Sequence, residues 1–301
     1  MLKIQKYGAI DIGSNAVRLL ISNIIEEEGK PAVFKKNSLV RVPIRLGADV
    51  FVKGEVSAYN QQRLLDTMMA FSLLMKSHGV VRYKACATSA MREAANSETL
   101  VNKINDLCNV TIDVIGGEEE AAIIAETDLH TFIDPNKTYL YVDVGGGSTE
   151  FSIIHNGKTI RSKSFKIGTV RLLNDIVDNG TWVELEQWIK ENTSQYYKIA
   201  LIGSGGNINK IFKISRKDIN KPLSYFYLTN YYKTLQSYSY EERITQLNLN
   251  QDRADVIIPA TRIYLSAMKW SGAKDIFVPK IGLSDGIIKS IYHGTVSSTI
   301  L

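Results

Sequence analysis

The sequence predicts an α/β protein built from two copies of one pattern, each a mixed sheet with helices on its faces. Three observations carry this. An apolar run, Tyr139-Leu140-Tyr141-Val142-Asp143-Val144, leads into Gly145-Gly146-Gly147-Ser148-Thr149-Glu150. A related run ends in Asp11-Ile12-Gly13-Ser14-Asn15, 132 residues earlier counting from Asp11 to Asp143. After each, strand and helix signals alternate in the same order, as a helix-covered sheet with one antiparallel hairpin requires.

In the first half, Ile4 to Ile12 reads as a strand, Gly13-Ser14-Asn15 as a turn, and Ala16 to Ile25 as the return strand. Glu26-Glu27-Glu28-Gly29-Lys30-Pro31 is a polar turn, and Ala32 to Val42 a third strand. Gly54 to His78 carries Leu64, Leu65, Met68, Met69, Phe71 and Leu74 at helical spacing, with Gly79 as a stop. Tyr83 to Ala87 is a strand ending at Thr88-Ser89, and Met91 to Cys108 is helical with an interruption near Asn96-Ser97. Val110 to Ile115 is a strand ending at Gly116-Gly117; Glu118 to Phe132 is a helix; Asp134-Pro135-Asn136 closes the half.

The second half repeats the order. Tyr139 to Val144 and Glu150 to His155 flank the glycine turn, and Lys158 to Ile167 is the third strand. Val170 to Tyr197 is helical with a break at Asn179-Gly180, and Ile199 to Gly203 is a strand running into Ser204-Gly205-Gly206-Asn207 and a helix. Ser215 to Asn250 is a polar, tyrosine-rich helical insertion. Ala254 to Trp270 is a helix, Asp275 to Lys280 a strand, and Ser284 to Tyr292 a last helix. Ala87-Thr88-Ser89 then matches Gly203-Ser204-Gly205-Gly206, and Val114-Ile115-Gly116-Gly117 matches Pro279-Lys280-Ile281-Gly282. Two such halves facing each other put both Asp-x-Gly turns at one cleft, where open α/β sheets bind ligands.

The 301 residues suffice for two domains, expected at 1–125 and 126–301, with the helix at about 287–301 a candidate to pack on the first. No apolar run reaches the roughly 18 residues needed to span a membrane, and Met1 to Gly13 reads directly into a strand without a signal-peptide pattern. Only Cys86 and Cys108 are present, so a disulfide framework is not implied and a reducing cytoplasm fits. The net charge of +5 mildly favours anionic partners.

Glycines let backbone N–H groups converge on an anion. Asp143 and Glu150 are hard oxygen ligands suited to Mg²⁺ beside substrate phosphates. The same residues also make a tight hairpin turn with a capping Asp and an exposed Glu. Gly205, Gly206 and Asn207 open a helix, whose N-terminus is an anion site or a plain strand-to-helix turn. Glu118, Glu119 and Glu120 start a helix, where acids serve as caps. Cys86 and Arg92 fit a Cys-x5-Arg spacing, but the loop between them has no glycine, and Cys86 reads as a buried small hydrophobe. His78, His130, His155 and His293 lack ligand spacing. The tyrosines from Tyr225 to Tyr240 read as helix packing. Lys210, Lys213, Arg216, Lys217 and Lys221 either track a polyanion or form a solvated face.

The motifs AIDIGSNAVRLL, ATSAMREAAN, GGEEEA, VDVGGGSTE, GSGGN and RADVIIP, in this order, resemble the exopolyphosphatase/guanosine pentaphosphate phosphohydrolase family. The resemblance runs from residue 8 to about 286 and is to the short, two-domain members. It implies duplicated actin-like (ribonuclease H-like) domains with a cleft between them. It implies metal-dependent release of orthophosphate from the end of inorganic polyphosphate, with guanosine pentaphosphate as the alternative substrate. Glu120 is then the base that activates water, and Arg92 the phosphate clamp. Ser14, Asn15, Arg18, the backbone of Gly145, Gly146, Gly147 and Ser148, and Gly205, Gly206 and Asn207 bind phosphate. Asp143, Glu150 and Asp11 hold Mg²⁺ or another divalent cation, with K⁺ a further candidate. Arg18 and Asp11 also admit plainer roles, as a surface charge and a brace for the turn. Ser284 stands where the family pattern leads one to expect arginine. A cytoplasmic homodimer with neither nucleic-acid nor membrane partners is expected, two-fold dimers being the commonest assembly. The rivals are an ATP-dependent small-molecule kinase of the same fold and a non-catalytic sensor of phosphorylated ligands.

Overall fold

A computed structural model describes residues 1–127, 129 and 134–301 of the chain. The chain forms two compact units: Met1–Thr127 with Leu283–Leu301, and Asp128–Gly282. Helix α13 (Leu283–His293) and strand β12 (Thr299–Ile300), which lie beyond residue 126, thus belong to the first unit.

The first unit begins with β1 (Leu2–Ile12), β2 (Val17–Glu27) and β3 (Val33–Val42), an antiparallel run. Helices α1 (Leu46–Lys53) and α2 (Ala58–His78) follow. Next come β4 (Arg82–Ala87), α3 (Ser89–Glu93), α4 (Ser97–Cys108), β5 (Ile112–Val114) and α5 (Gly117–Ala125). Strand β1 is parallel to β4, and β4 to β5, so the sheet runs β3-β2-β1-β4, with β5 and β12 both on the far edge of β4. From Tyr7 onward β1 is buried at every residue, because a central strand covered on both faces has no solvent side. The helix expected from Gly54 starts instead at Ala58. Gly54, at φ 80°, ends α1, and Ser57 caps α2 by accepting the Asn60 N–H. The stretch expected to continue α5 to Phe132, with His130, lies outside the described residues.

The second unit repeats the plan with β6 (Thr138–Val144), β7 (Thr149–His155), β8 (Lys158–Phe165), α6 (Thr169–Leu173), α7 (Asn179–Thr193), β9 (Ile199–Ser204) and α8 (Gly206–Ser215). The tyrosine-rich insertion holds β10 (Leu223–Ser224), α9 (Tyr225–Ser237) and α10 (Tyr240–Thr245). Helices α11 (Gln251–Ala254) and α12 (Ile257–Ser271) and strand β11 (Asp275–Phe277) complete it. Its sheet runs β8-β7-β6-β9-β11-β10, with β6, β9 and β11 parallel. This is the strand order of the first unit with β6 for β1, β9 for β4 and β11 for β5. Even the irregularities repeat: the register slips between Ile21 and Ser22 in one sheet and between Ile153 and Ile154 in the other, again 132 residues apart.

Each unit has its own apolar core, one around Ile10, Leu19, Met68 and Phe71, the other around Val142, Phe151, Ile208 and Ile263. Helix α13 packs on α5, β1, β4 and β2. At its contact with α5 the backbones meet. A Cβ built on Gly286 would stand 2.2 Å from the Ile123 carbonyl oxygen. Overpacking costs about 1–3 kcal/mol where side chains can yield. Backbone cannot, so Gly286→Ala is expected to lower the urea midpoint by at least that much and to make the C-terminal segment protease-sensitive before the rest of the chain.

Candidate functional site

In the second unit, β6 and β7 are joined by the glycine turn, closed by Gly145 N–H donating to Ser148 C=O at 3.0 Å. The carbonyls of the turn face the start of α6. Thr169 N–H donates to Gly145 C=O (3.0 Å), Val170 N–H to Gly146 C=O (2.8 Å), and Arg171 Nε to Gly147 C=O (2.7 Å). In a trans peptide the N–H points opposite to the C=O. Fixing these three carbonyls therefore turns the N–H groups of Gly146, Gly147 and Ser148 to the other side. Among the described residues those three N–H groups have no backbone acceptor. Gly145 was expected to join them, but its N–H closes the turn. The approach of α6 requires glycine: a Cβ on Gly168 would lie 2.3 Å from Gly146 O.

Beside this nest, Asp143 and Glu150 are directly opposite each other across β6 and β7. Glu150 is buried, and its Oε1 accepts from Ser148 Oγ (2.7 Å) and Ser164 Oγ (3.0 Å). Strand β9 ends beside Asp143 in register with Ser204, and α8 begins there. Its N-cap, Gly205 at φ 115°, has no side-chain cap, which leaves the first-turn N–H groups for an anion. A Cβ on Gly205 would lie 2.9 Å from Val144 O and 3.5 Å from Asp143 Oδ1, so the helix start abuts the acid. Behind it, the buried Tyr264 hydroxyl donates to Ser204 C=O. Burial, then the Asp143 charge, push that hydroxyl well above the usual tyrosine value and keep it a donor. Two carboxylates on adjacent strands, one oriented by two hydroxyls, fit a hard divalent cation that takes its other oxygens from water and phosphate. Among the described residues no group of three or more His, Cys, Asp or Glu side chains is placed to hold a metal.

The first unit repeats the turn. Gly13 N–H donates to Ala16 C=O (3.2 Å), and the carbonyls of Ser14 and Asn15 are taken by Gly47 N–H (2.8 Å) and Arg45 N–H (3.0 Å) at the start of α1. Asp11 is buried, and its Oδ2 accepts from Arg18 Nη1 at 2.7 Å. The expected metal acid and the expected phosphate-binding arginine are thus partners of each other. Thr88 N–H donates to Ile12 C=O and Ile115 N–H to Ala87 C=O, so the ends of β1, β4 and β5 come together. Arg92 is exposed on α3, and its Nη1 donates to Ile115 C=O (2.7 Å), just before α5. Glu120 sits in the first turn of α5, with its N–H on Gly116 C=O (2.9 Å). Arg92 and Glu120 therefore flank the same strand end.

One correspondence shifts. Cys86 is opposite Asp11, and Ser204 opposite Asp143. The equivalent positions are Cys86 and Ser204, not Ala87 and Gly203 or Thr88 and Ser204, because pairing register rather than turn composition sets them. Cys86 is buried, which pushes its thiol up to about 12. In the basic run, Lys210 and Lys217 donate to the carbonyls of Asn248 (3.0 Å) and Pro222 (2.7 Å). Tyr227 and Tyr231 stack with centroids 6.2 Å apart. Ser284 is buried in the first turn of α13. Helices α1 and α6, Arg171, Ser164 and Tyr264 were not singled out in the sequence. Only the glycine at 168, following a strand, could have pointed to one of them.

Two actin-like α/β units, each with a backbone nest at the carboxyl ends of parallel strands, define a protein that handles phosphate groups. The chain belongs to the Ppx/GppA phosphatase family, whose sequence profile matches residues 27–294. It is 31% identical over 207 residues to a guanosine-5'-triphosphate,3'-diphosphate pyrophosphatase of Photobacterium profundum, covering 68% of this chain and 38% of that protein. It is 26% identical to a bifunctional 3-dehydroquinate synthase/phosphatase of Fusobacterium nucleatum, covering 95% of this chain and 46% of that one. The chain thus spans less than half the length of these two relatives. In fold it is similar to a crystal structure of an exopolyphosphatase from Cytophaga hutchinsonii, with TM-score 0.81, 23% identity, and coverage of 96% and 98% of the two chains. No helix among the described residues is long and apolar enough to cross a membrane.

Gly168→Ala is expected to displace the nest. Phosphate release should fall at least tenfold with unchanged far-UV circular dichroism, read from initial rates. Cys86→Ala should leave phosphate release within twofold of the parent, and iodoacetamide at pH 8 should not label Cys86 in the native protein. A thiol shifted to about 12 is protonated well above neutral pH and is a poor nucleophile.

Proposed function

We propose that the protein is a phosphoanhydride hydrolase that removes the terminal phosphate of inorganic polyphosphate by attack of water. The observation that carries this reading is the grouping, in one unit, of the Gly146–Ser148 N–H nest, the uncapped start of α8 and the Asp143–Glu150 pair. Phosphoryl transfer to water requires positioning, charge neutralisation and an oriented nucleophile rather than covalent chemistry. The nest and the helix N-terminus grip phosphate oxygens through preorganised donors that need no rearrangement during reaction. Asp143 and Glu150 would hold a divalent cation, which supplies further neutralisation of phosphate charge when bound. Arg92, fixed at one nitrogen by Ile115 C=O, keeps its other donors for phosphate. Glu120 takes the proton from the attacking water. The bridging oxygen departs as a phosphate of the shortened chain, and no separate acid is required.

Guanosine pentaphosphate is the second reading, favoured by the 31% identity to the Photobacterium profundum protein. The two are separated by comparing phosphate release from polyphosphate and from guanosine pentaphosphate. Turnover of neither would sink both, and transfer of phosphate from ATP to an alcohol or acid would point to a kinase.

Glu120→Gln is expected to cut phosphate release by about 10²–10⁴-fold, the range for loss of a general base, while polyphosphate binding followed by calorimetry persists. Glu118→Gln and Glu119→Gln, at exposed positions on the same turn, should leave the rate within a few-fold of the parent. Parental turnover in Glu120→Gln would remove the assigned base.

A further inference from the structure

The two hairpins superpose in register residue for residue, so each position in one names its counterpart in the other. Asp11 stands opposite Arg18, and Asp143 opposite Glu150. The offset from 11 to 143 and from 18 to 150 is the same, 132. The turns close with the same hydrogen bond, Gly13 to Ala16 and Gly145 to Ser148. At the one cross-strand position beside the nest, the second unit has a second carboxylate and the first has a guanidinium.

We infer that Arg18 is a fixed counter-charge that takes the place of a divalent cation in the first unit. Asp11 therefore binds no metal, and the Asp143–Glu150 pair is the chain's sole site of this kind. This rests on the reading of Asp143 and Glu150 as a cation site. The argument is one of donor supply. A divalent cation of this type uses one or two carboxylates. In the first unit Asp11 is the lone carboxylate of the pair, and its Oδ2 is held by Arg18 at 2.7 Å. Asp11 is 4% exposed, so its charge is compensated inside the hairpin. A cation entering there would have to displace a guanidinium already tied to the carboxylate and would meet its positive charge. In the second unit the same register offers two carboxylates and no internal cation at that position.

Arg18 also brings direction. Among the described residues its Nε and Nη2 make no hydrogen bond, and the side chain is one-third exposed. The ion pair anchors one end of the guanidinium fork and leaves the rest for phosphate oxygens, the geometry that suits arginine better than lysine. The duplicated hairpin thus carries two versions of positive charge beside a phosphate nest, one covalent and one exchangeable.

The test counts bound Mn²⁺ by electron paramagnetic resonance and calorimetry, without substrate. The parent should bind one ion per chain, Asp143→Asn should lose it, and Asp11→Asn should keep it. Arg18→Glu rebuilds the acidic pair in the first unit and should bind two ions, the second abolished by adding Asp11→Asn. Its thermal midpoint should rise on Mn²⁺ addition more than the parent's does. A folded Arg18→Glu protein that still binds one ion overturns the inference. So does a parent ion lost in Asp11→Asn, a measurement that stands even if Arg18→Glu fails to fold. If Asp143→Asn leaves the parent ion in place, the cation assignment of the second unit fails instead, and the two failures are thereby distinguished.

Discussion

The carbonyl oxygens of Gly145, Gly146 and Gly147 are all held from behind, two by the N–H groups of Thr169 and Val170 and one by the Arg171 guanidinium. Peptide planarity converts that into an orientation of the next three N–H groups. Without it, a run of three glycines would be the least ordered stretch of the chain, since glycine loses the most conformational freedom on folding. With it, the loop becomes a rigid donor array. The cost of ordering is met in folding, before any ligand arrives, which is the condition under which electrostatic stabilisation is strongest. Gly168 is required for the same reason as the loop glycines. The contact that fixes the carbonyls leaves no room for a Cβ.

The same device in the first unit uses different residues. Arg45 and Gly47 hold the Asn15 and Ser14 carbonyls from the start of α1. A short helix placed behind a hairpin turn is therefore part of the duplicated unit, as much as the turn itself. The duplication extends to the bulge positions in β2 and β7. These features depend on backbone geometry, whereas the pair beside the nest depends on side chains, and only there do the halves part: Asp11 with Arg18, Asp143 with Glu150.

Much of this was legible in the sequence. The buried central strands read as apolar runs, and the two Asp-x-Gly turns announced the duplication. The donors behind the turns were not legible, because Thr169, Val170, Arg45 and Gly47 act through backbone groups that any residue carries. Helix α1 was missed for a related reason. Leu46, Gly47 and Val50 are its buried residues, and so short an apolar pattern between Pro43 and Gly54 reads as loop. The equivalence of Cys86 and Ser204 was misplaced by two residues because turn composition was compared where strand register decides. The partners of Glu150 escaped notice because Ser164 is fourteen residues away on β8, reached only once the bulge sets the pairing.

Arg18 shows how one residue can decide the chemistry of a repeated site. A buried carboxylate left alone is costly, and a partner of opposite charge held in the fold removes that cost permanently. An exchangeable cation removes it only while bound. A carboxylate with a resident guanidinium is thus a structural element whose charge state does not follow metal concentration. A carboxylate pair is responsive, and its neighbours are arranged accordingly: Ser148 and Ser164 donate to Glu150, ordering it without neutralising it. Hydroxyl donors orient oxygen and leave net charge for a cation to find, whereas guanidinium orients and cancels in one step. The difference between the halves is therefore of kind, and it follows from which donor type the register places against the acid.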